Sequence, residues 1–265
     1  MDKNTMGMRF MTRDAIKYLA IVAMTLDHIA YIFLEPQTLL YRLFLCIGTF
    51  TGPVMLYFLI EGYFYTHDVR GYAKRLLLFA LLSQLPFSLA NGDFFGNMLF
   101  TLLICLGVLY VHDHVTDGGL RKFLNVLLFF ASLFTDWNFL SVPLVLFLRP
   151  AFHPAAPIVD PSVNQYQNEE TTLMKSQANV QQFYMDPAEQ QRAMLKCVAY
   201  FLLVSCLTKG VFEGMTEALG MVLGFVCIAC FYNGQQAATH RKFHKYFFYI
   251  YYPAHLLVLW ALHAM

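Results

Sequence analysis

The feature that most constrains this chain is a succession of apolar stretches, each close to a bilayer in length, separated by short segments that hold most of the charge. A helix needs about 20 mostly apolar residues to cross the hydrocarbon core, and fewer where it is short or bent. Boundaries at charge, Pro, Gly and Asn place candidate spans near 15–34, 43–62, 75–90, 98–111, 123–134, 138–148, 194–208, 216–232 and 246–263. Of the 265 residues, 58% are hydrophobic and only 13% charged, about half the charge density of a soluble domain. The expected fold is all-α, a polytopic transmembrane helix bundle of about nine spans, with residues 1–265 forming a single membrane domain. A formal charge of +1 gives no reason to expect a nucleic-acid partner, and the expected surroundings are a lipid bilayer.

The two stretches flanking Asp136-Trp137 are short, and fit two tilted helices, a re-entrant hairpin or one broken helix. Charge discriminates, because basic residues near span ends stay in the cytoplasm. With a cytoplasmic N-terminus and both short stretches crossing, only Arg42 and Lys209 fall on the far side. Merging the pair would carry Arg241, Lys242 and Lys245 across as well, so nine spans and an outside C-terminus are expected. The first stretch is long enough to span and lacks a small-x-small cleavage site, which marks it as an anchor. The long polar segment at 150–192 contains Pro150, Pro154, Pro157 and Pro161. It reads as a cytoplasmic loop, too poor in apolar residues for a second core. One short helix is expected after Asp186-Pro187, since Asp caps and Pro starts a helix well. The cysteines at 46, 105, 197, 206, 227 and 230 all lie in apolar stretches and read as packing residues, with no structural disulfide implied.

An ionisable side chain at membrane depth costs on the order of 3 kcal/mol, so each one needs a partner, a hydrated cavity or a function. Asp27 and His28 lie past the middle of the first stretch, Glu61 closes the second, and Gln84 interrupts the third. Asn97 and Thr101 open the fourth, and His255 lies mid-way along the last. Helix neighbours point about 100° apart, so Asp27 and His28 must each meet a group on another helix or in a cavity. His28 is either a general base or one half of a hydrogen-bonded pair pinning two helices together. His255 follows Pro253, which interrupts the helical ladder, and shares its helix side with Tyr251 and Tyr252. That grouping fits a site or an aromatic packing surface.

A basic cluster near the cytoplasmic end of the third stretch contains Arg70, Lys74 and Arg75, with Arg13 and Lys17 on the same side. It suits phosphate binding, and equally a positive-inside signal against lipid head groups. His112-Asp113-His114 lacks a third metal ligand nearby in sequence, and no metal is expected. The familiar serine-hydrolase, zinc-hydrolase, P-loop and dinucleotide motifs do not occur.

Taken in order, several of these segments resemble the TraX family, integral-membrane proteins associated with acetylation of the F-pilus subunit. The likeness runs through Ile16 to Ile21, Met24, Asp27-His28-Ile29, Gly48, Pro53 and Glu61-Gly62-Tyr63. It continues through Tyr72 to Leu76, Ser83 to Phe87 and Asn97 to Thr101. It resumes at Tyr232-Asn233-Gly234, Lys245 to Tyr249 and Tyr252-Pro253-x-His255-Leu256. Thr49 stands where the likeness leads one to expect Arg, and the 150–192 loop is longer than expected.

The resemblance implies a membrane-embedded acyltransferase of a bacterial inner membrane. It would move an acetyl group from cytoplasmic acetyl-CoA to an amine or hydroxyl acceptor, such as a protein N-terminus. On that reading His28, Asp27 and His255 are the catalytic candidates. Arg70, Lys74, Arg75 and Arg13 would hold the donor phosphates, and Glu61, Gln84, Asn97, Thr101 and Tyr252 would form the wall. The thioester is expected to reach His28 from the basic mouth. Two rivals remain: a proton-coupled transporter using the same intramembrane residues, and a non-enzymatic membrane assembly factor.

Overall fold

A computed structural model describes residues 9–36, 38–92, 94–154, 183–237 and 239–265. Among them are ten α-helices, a 3-10 turn at Arg149–Ala151, a π-helical turn at Cys227–Phe231, a two-residue antiparallel pairing of His153–Pro154 with Phe183–Tyr184, and isolated bridges between Met11 and Tyr232 and between Gly96 and Thr135. In chain order the helices are α1 Arg13–Phe33, α2 Leu39–Thr49, α3 Thr51–Tyr65, α4 Val69–Asn91 and α5 Met98–His114. They continue with α6 Gly118–Ser132, α7 Asn138–Leu148, α8 Pro187–Lys209, α9 Val211–Val226 and α10 Arg241–His263. Residues 155–182, most of the expected polar loop, lie outside the described residues.

Short polar side chains set the starts of these helices by satisfying otherwise orphaned N–H groups. Thr12 accepts from the Ala15 N–H at 3.3 Å, Asp68 from Gly71 at 2.8 Å and Asn97 from Leu99 at 3.0 Å. Asp186 accepts from Ala188 at 3.0 Å and Pro187 occupies the first turn. The expected short helix after Asp186-Pro187 is not separate; it runs directly into the apolar stretch as the 23-residue α8. The expected 43–62 span is α2 and α3 joined at Phe50. Pro53, lacking an N–H for the Thr49 carbonyl, accounts for the break.

Among the described residues, five segments are long and apolar enough to cross a membrane: Arg13–Phe33, Leu39–Tyr65, Val69–Asn91, Pro187–Lys209 and Val211–Phe231. The stretches around Asp136-Trp137 form two separate helices, α6 and α7, of 15 and 11 residues. The loop before α5 and the turn before α7 are tied together, the Gly96 N–H donating to Phe134 O at 2.8 Å and the Asp136 N–H to Gly96 O at 2.7 Å.

The bundle has an apolar core that also encloses polar side chains, and its outer surface is apolar. Glu61, Ser83, Asn97, Thr101 and Ser141 are completely buried, whereas Leu77, Leu78, Leu81, Leu82 and Leu85 of α4 are exposed. That exposed apolar surface suits hydrocarbon as the surrounding solvent. Helix α3 is the central post, with Val54, Leu56, Tyr57, Leu59 and Ile60 all buried. Pro143 in α7 frees the Phe139 carbonyl, and the Tyr200 hydroxyl of α8 donates to it at 3.0 Å.

Candidate functional site

Helices α1 and α10 meet along a seam of polar rungs. The Tyr18 hydroxyl lies 2.7 Å from His244 Nδ1, the Thr25 and Tyr251 hydroxyls are 2.9 Å apart, and His28 Nδ1 lies 3.1 Å from His255 Nε2. The Thr25 hydroxyl donates to Ile21 O, so Tyr251 is the donor in the middle rung. The histidine rung can be assigned the same way. His255 Nδ1 lies 3.0 Å from the Tyr251 carbonyl, which only accepts, so Nδ1 carries the proton. In a neutral ring Nε2 is then an acceptor and takes the His28 Nδ1–H. His28 Nε2 is left with a free lone pair. Both rings are 7% exposed, and His28 borders a cavity.

That cavity, of about 390 Å³, is acidic: Asp27, Asp136 and Glu217 line it against the single ammonium of Lys209. Lys209 Nζ lies 2.8 and 2.9 Å from the two carboxylate oxygens of Glu217. Asp27 packs so closely on α2 that a Cβ at Gly48 would sit 2.2 Å from its Oδ1. Trp137 closes one wall against α3, where a Cβ at Gly52 would sit 1.8 Å from the indole. The Tyr252 hydroxyl also reaches this cavity and accepts the Met98 N–H at 3.4 Å, which leaves its own proton to donate.

A second cavity, of about 360 Å³, lies at the opposite end of α1 and is basic, with Arg13, Lys17 and Arg75 facing Asp14. Asp14 is engaged, its Oδ2 accepting the Ala237 N–H at 2.8 Å. Lys17 Nζ sits 5.8 Å from the Phe58 ring and 5.4 Å from Phe248. The Nε atoms of Arg13 and Arg75 are buried without a hydrogen-bond partner. Three cations gathered around an open volume suit an anion with several oxygens. Arg70 and Lys74 do not line this cavity; they share an exposed stripe of α4, while Tyr72, Arg75 and Leu76 face inward.

The two cavities share no lining residue, so the single pocket expected to join the basic mouth to His28 is replaced by two, back to back. Helices α1, α3, α4, α5 and α10 wall both. The septum is thin. On α5 the neighbours Met98 and Leu99 face opposite cavities, and on α3 so do Thr51 and Met55, about 6 Å apart along the axis at 1.5 Å per residue.

Of the expected wall residues only Tyr252 lines the acidic cavity. Gln84 and Asn97 form a clasp between α4 and α5. Asn97 Nδ2 donates to Ala80 O at 2.8 Å and to Gln84 Oε1 at 3.1 Å, and Gln84 Nε2 donates to Phe95 O at 2.8 Å. Thr101 is buried beside neither cavity. Glu61 Oε1 accepts from the Tyr232 hydroxyl at 2.6 Å, inside the core. His112 and His114 gather no metal-ligating cluster among the described residues.

Asp136, Trp137, Glu217 and Lys209 were not singled out as site residues from the sequence. Their signal was the pair of basic residues left on the far side by the charge rule, Arg42 and Lys209. Both are accounted for, Lys209 by Glu217 and Arg42 by the Phe212 ring 4.8 Å away.

The family described as TraX protein matches residues 12–156, more than half of the chain. A Dichelobacter nodosus protein, "Probable fimbrial assembly protein FimC, serogroup H1", is 35% identical over 146 residues, covering 50% of this chain and 59% of that relative. The chain therefore aligns with little more than half of that relative's length. No solved structure matches the chain. The family match includes Asp27, His28, Arg13, Lys17 and Arg75, and stops short of Lys209, Glu217 and His255. On the strength of that match, the chain belongs to the TraX family.

Proposed function

We propose that the protein is an integral-membrane acetyltransferase of a bacterial inner membrane, crossing nine times from a cytoplasmic N-terminus. In this reading the basic cavity opens to the cytoplasm and takes the phosphates of acetyl-CoA on Arg13, Lys17 and Arg75. The acidic cavity opens to the far side and takes an amine acceptor as its ammonium, with a protein N-terminus as the favoured class. The observation that carries the reading is the free Nε2 of His28, held by His255 in an acidic cavity that backs onto a cationic one.

The amine needs a lone pair before it can attack. His28 Nε2 removes its proton, and the His255 Nε2 behind it shares the resulting charge through the Nδ1–H bond. An N–C bond forms and the thioester C–S bond breaks. Of the two protons the ammonium loses, one ends on the CoA thiol and the other leaves through His28. The Tyr252 hydroxyl is placed to donate to the thioester oxygen as charge builds there. Asp27 and Glu217 hold the acceptor's charge, and the septum at Met98–Leu99 must open for the thioester to reach the amine.

Purified protein given acetyl-CoA and an amine-terminated peptide should release free CoA thiol, and His28→Ala should lower that rate about 10²–10⁴-fold. Wild-type turnover by a folded His28→Ala protein would remove the residue from the mechanism. The name of the Dichelobacter relative favours a second reading, a non-enzymatic role in fimbrial assembly. That role would survive loss of both histidines.

A further inference from the structure

The acidic cavity already contains one ammonium. Lys209 ends α8, Gly210 turns the chain at a φ of 95°, and α9 brings Glu217 back beside it. Lys209 Nζ contacts both Glu217 oxygens, at 2.8 and 2.9 Å. The side chain of Lys209 is 46% exposed and that of Glu217 only 10%. The carboxylate therefore belongs to the cavity wall, and the ammonium reaches it on a flexible, half-solvated stem. Asp27 and Asp136 line the same cavity. The buried His28, with an Nε2 that no protein group engages, independently marks the cavity as a place for a ligand.

We propose that Lys209 is a resident competitor for the acceptor's ammonium: the acceptor enters by displacing Lys209 from Glu217, and Lys209 expels the product by returning. This rests on the acidic cavity receiving an amine, as proposed above. The exchange is nearly isoelectric, since one ammonium with three N–H donors replaces another on the same carboxylate. A neutral or anionic molecule cannot make it. Acetylation removes the acceptor's charge and leaves an amide with one N–H, which no longer offsets Glu217. Lys209 then returns to its partner, and the reaction itself supplies the signal for release. Lys209 is thus a specificity and release residue that touches neither the thioester nor His28.

The test uses the full chain in detergent and two probes, a tetrapeptide amide with a free amino terminus and the same peptide N-acetylated. Lys209→Met should bind the free-amine peptide about tenfold more tightly than wild type, with the acetylated peptide unaffected. Lys209→Arg, which retains the competing charge, should bind it no more tightly than wild type. Glu217→Gln should weaken free-amine binding about tenfold and abolish the effect of Lys209→Met made on top of it. A Lys209→Met protein that binds the free amine no better than wild type, or both probes better, overturns the proposal.

Should Lys209→Met fail to fold, Lys209→Gln, which removes the charge but keeps a polar side chain, should bind the free-amine peptide about tenfold more tightly than wild type and the acetylated peptide no differently. A folded Lys209→Gln protein with wild-type affinity for the free amine overturns the proposal. Failure of the enzymatic reading is separately visible: the binding pattern would hold while no CoA thiol is released.

Discussion

His28 Nδ1 and His255 Nε2 lie 3.1 Å apart although 227 residues separate them in the chain. The Tyr251 carbonyl, fixed by its own helix, decides which nitrogen of His255 carries the proton, and that decides which nitrogen of His28 is free. A base oriented by a second group that never touches the substrate is the recurring logic of activated sites. Replacing His255 with Ala should therefore lower kcat about 100-fold with little change in acceptor KM. The His28→Ala/His255→Ala double variant should be no slower than His28→Ala, since the two act as one unit. Steady-state rates of the three proteins check this.

Donor binding should follow cavity lining and not linear charge density. Arg13→Gln, Lys17→Gln and Arg75→Gln should each raise the KM for acetyl-CoA about tenfold, the scale of one charge-assisted contact. Arg70→Gln and Lys74→Gln, on the exposed stripe of α4, should leave it within about twofold of wild type. Equal effects from all five would mean a diffuse surface attraction.

The septum should be intolerant of bulk. Leu99→Trp, facing the basic cavity one residue from Met98, should suppress acetyl transfer while leaving acetyl-CoA binding largely intact. Leu99→Ala should retain transfer. Binding isotherms and thiol release measured on the same preparations separate the two effects.

Gly48→Ala should cost stability, because its Cβ would fall 2.2 Å from Asp27 Oδ1 on the facing helix. Overpacking of this kind costs about 1–3 kcal/mol. Pairing it with Asp27→Ala, which removes the obstructing carboxylate, should recover much of the lost thermal stability in a melting experiment.

Depth within an apolar stretch was enough to single out Asp27, His28 and His255, because an ionisable group in hydrocarbon is conspicuous whatever the fold. That the two histidines meet was not legible, since a sequence of helices does not state which are neighbours. The basic cluster misled for a related reason. Arg70 and Lys74 share one exposed face of α4 while Arg75 lies about 100° around from Lys74, and it is Arg13 and Lys17, from α1, that share the cavity with Arg75. Gln84 and Asn97 stand out as polar residues in an apolar setting, yet they spend their hydrogen bonds on each other and on backbone, clasping α4 to α5. Glu217 was overlooked because it lies at the edge of its apolar stretch, where a carboxylate is unremarkable. Only the tight turn at Gly210 brings it to Lys209.

The central claim is that donor and acceptor occupy opposite cavities and react at His28. Proteoliposomes of uniform orientation, with acetyl-CoA confined to the side of Arg13 and Arg75 and an amine-terminated peptide to the side of Glu217, test it most directly. The account predicts acetylated peptide in the second compartment with wild-type protein and none above background with His28→Ala. Product that forms only when both reactants share one compartment, or equally with the variant, would contradict it.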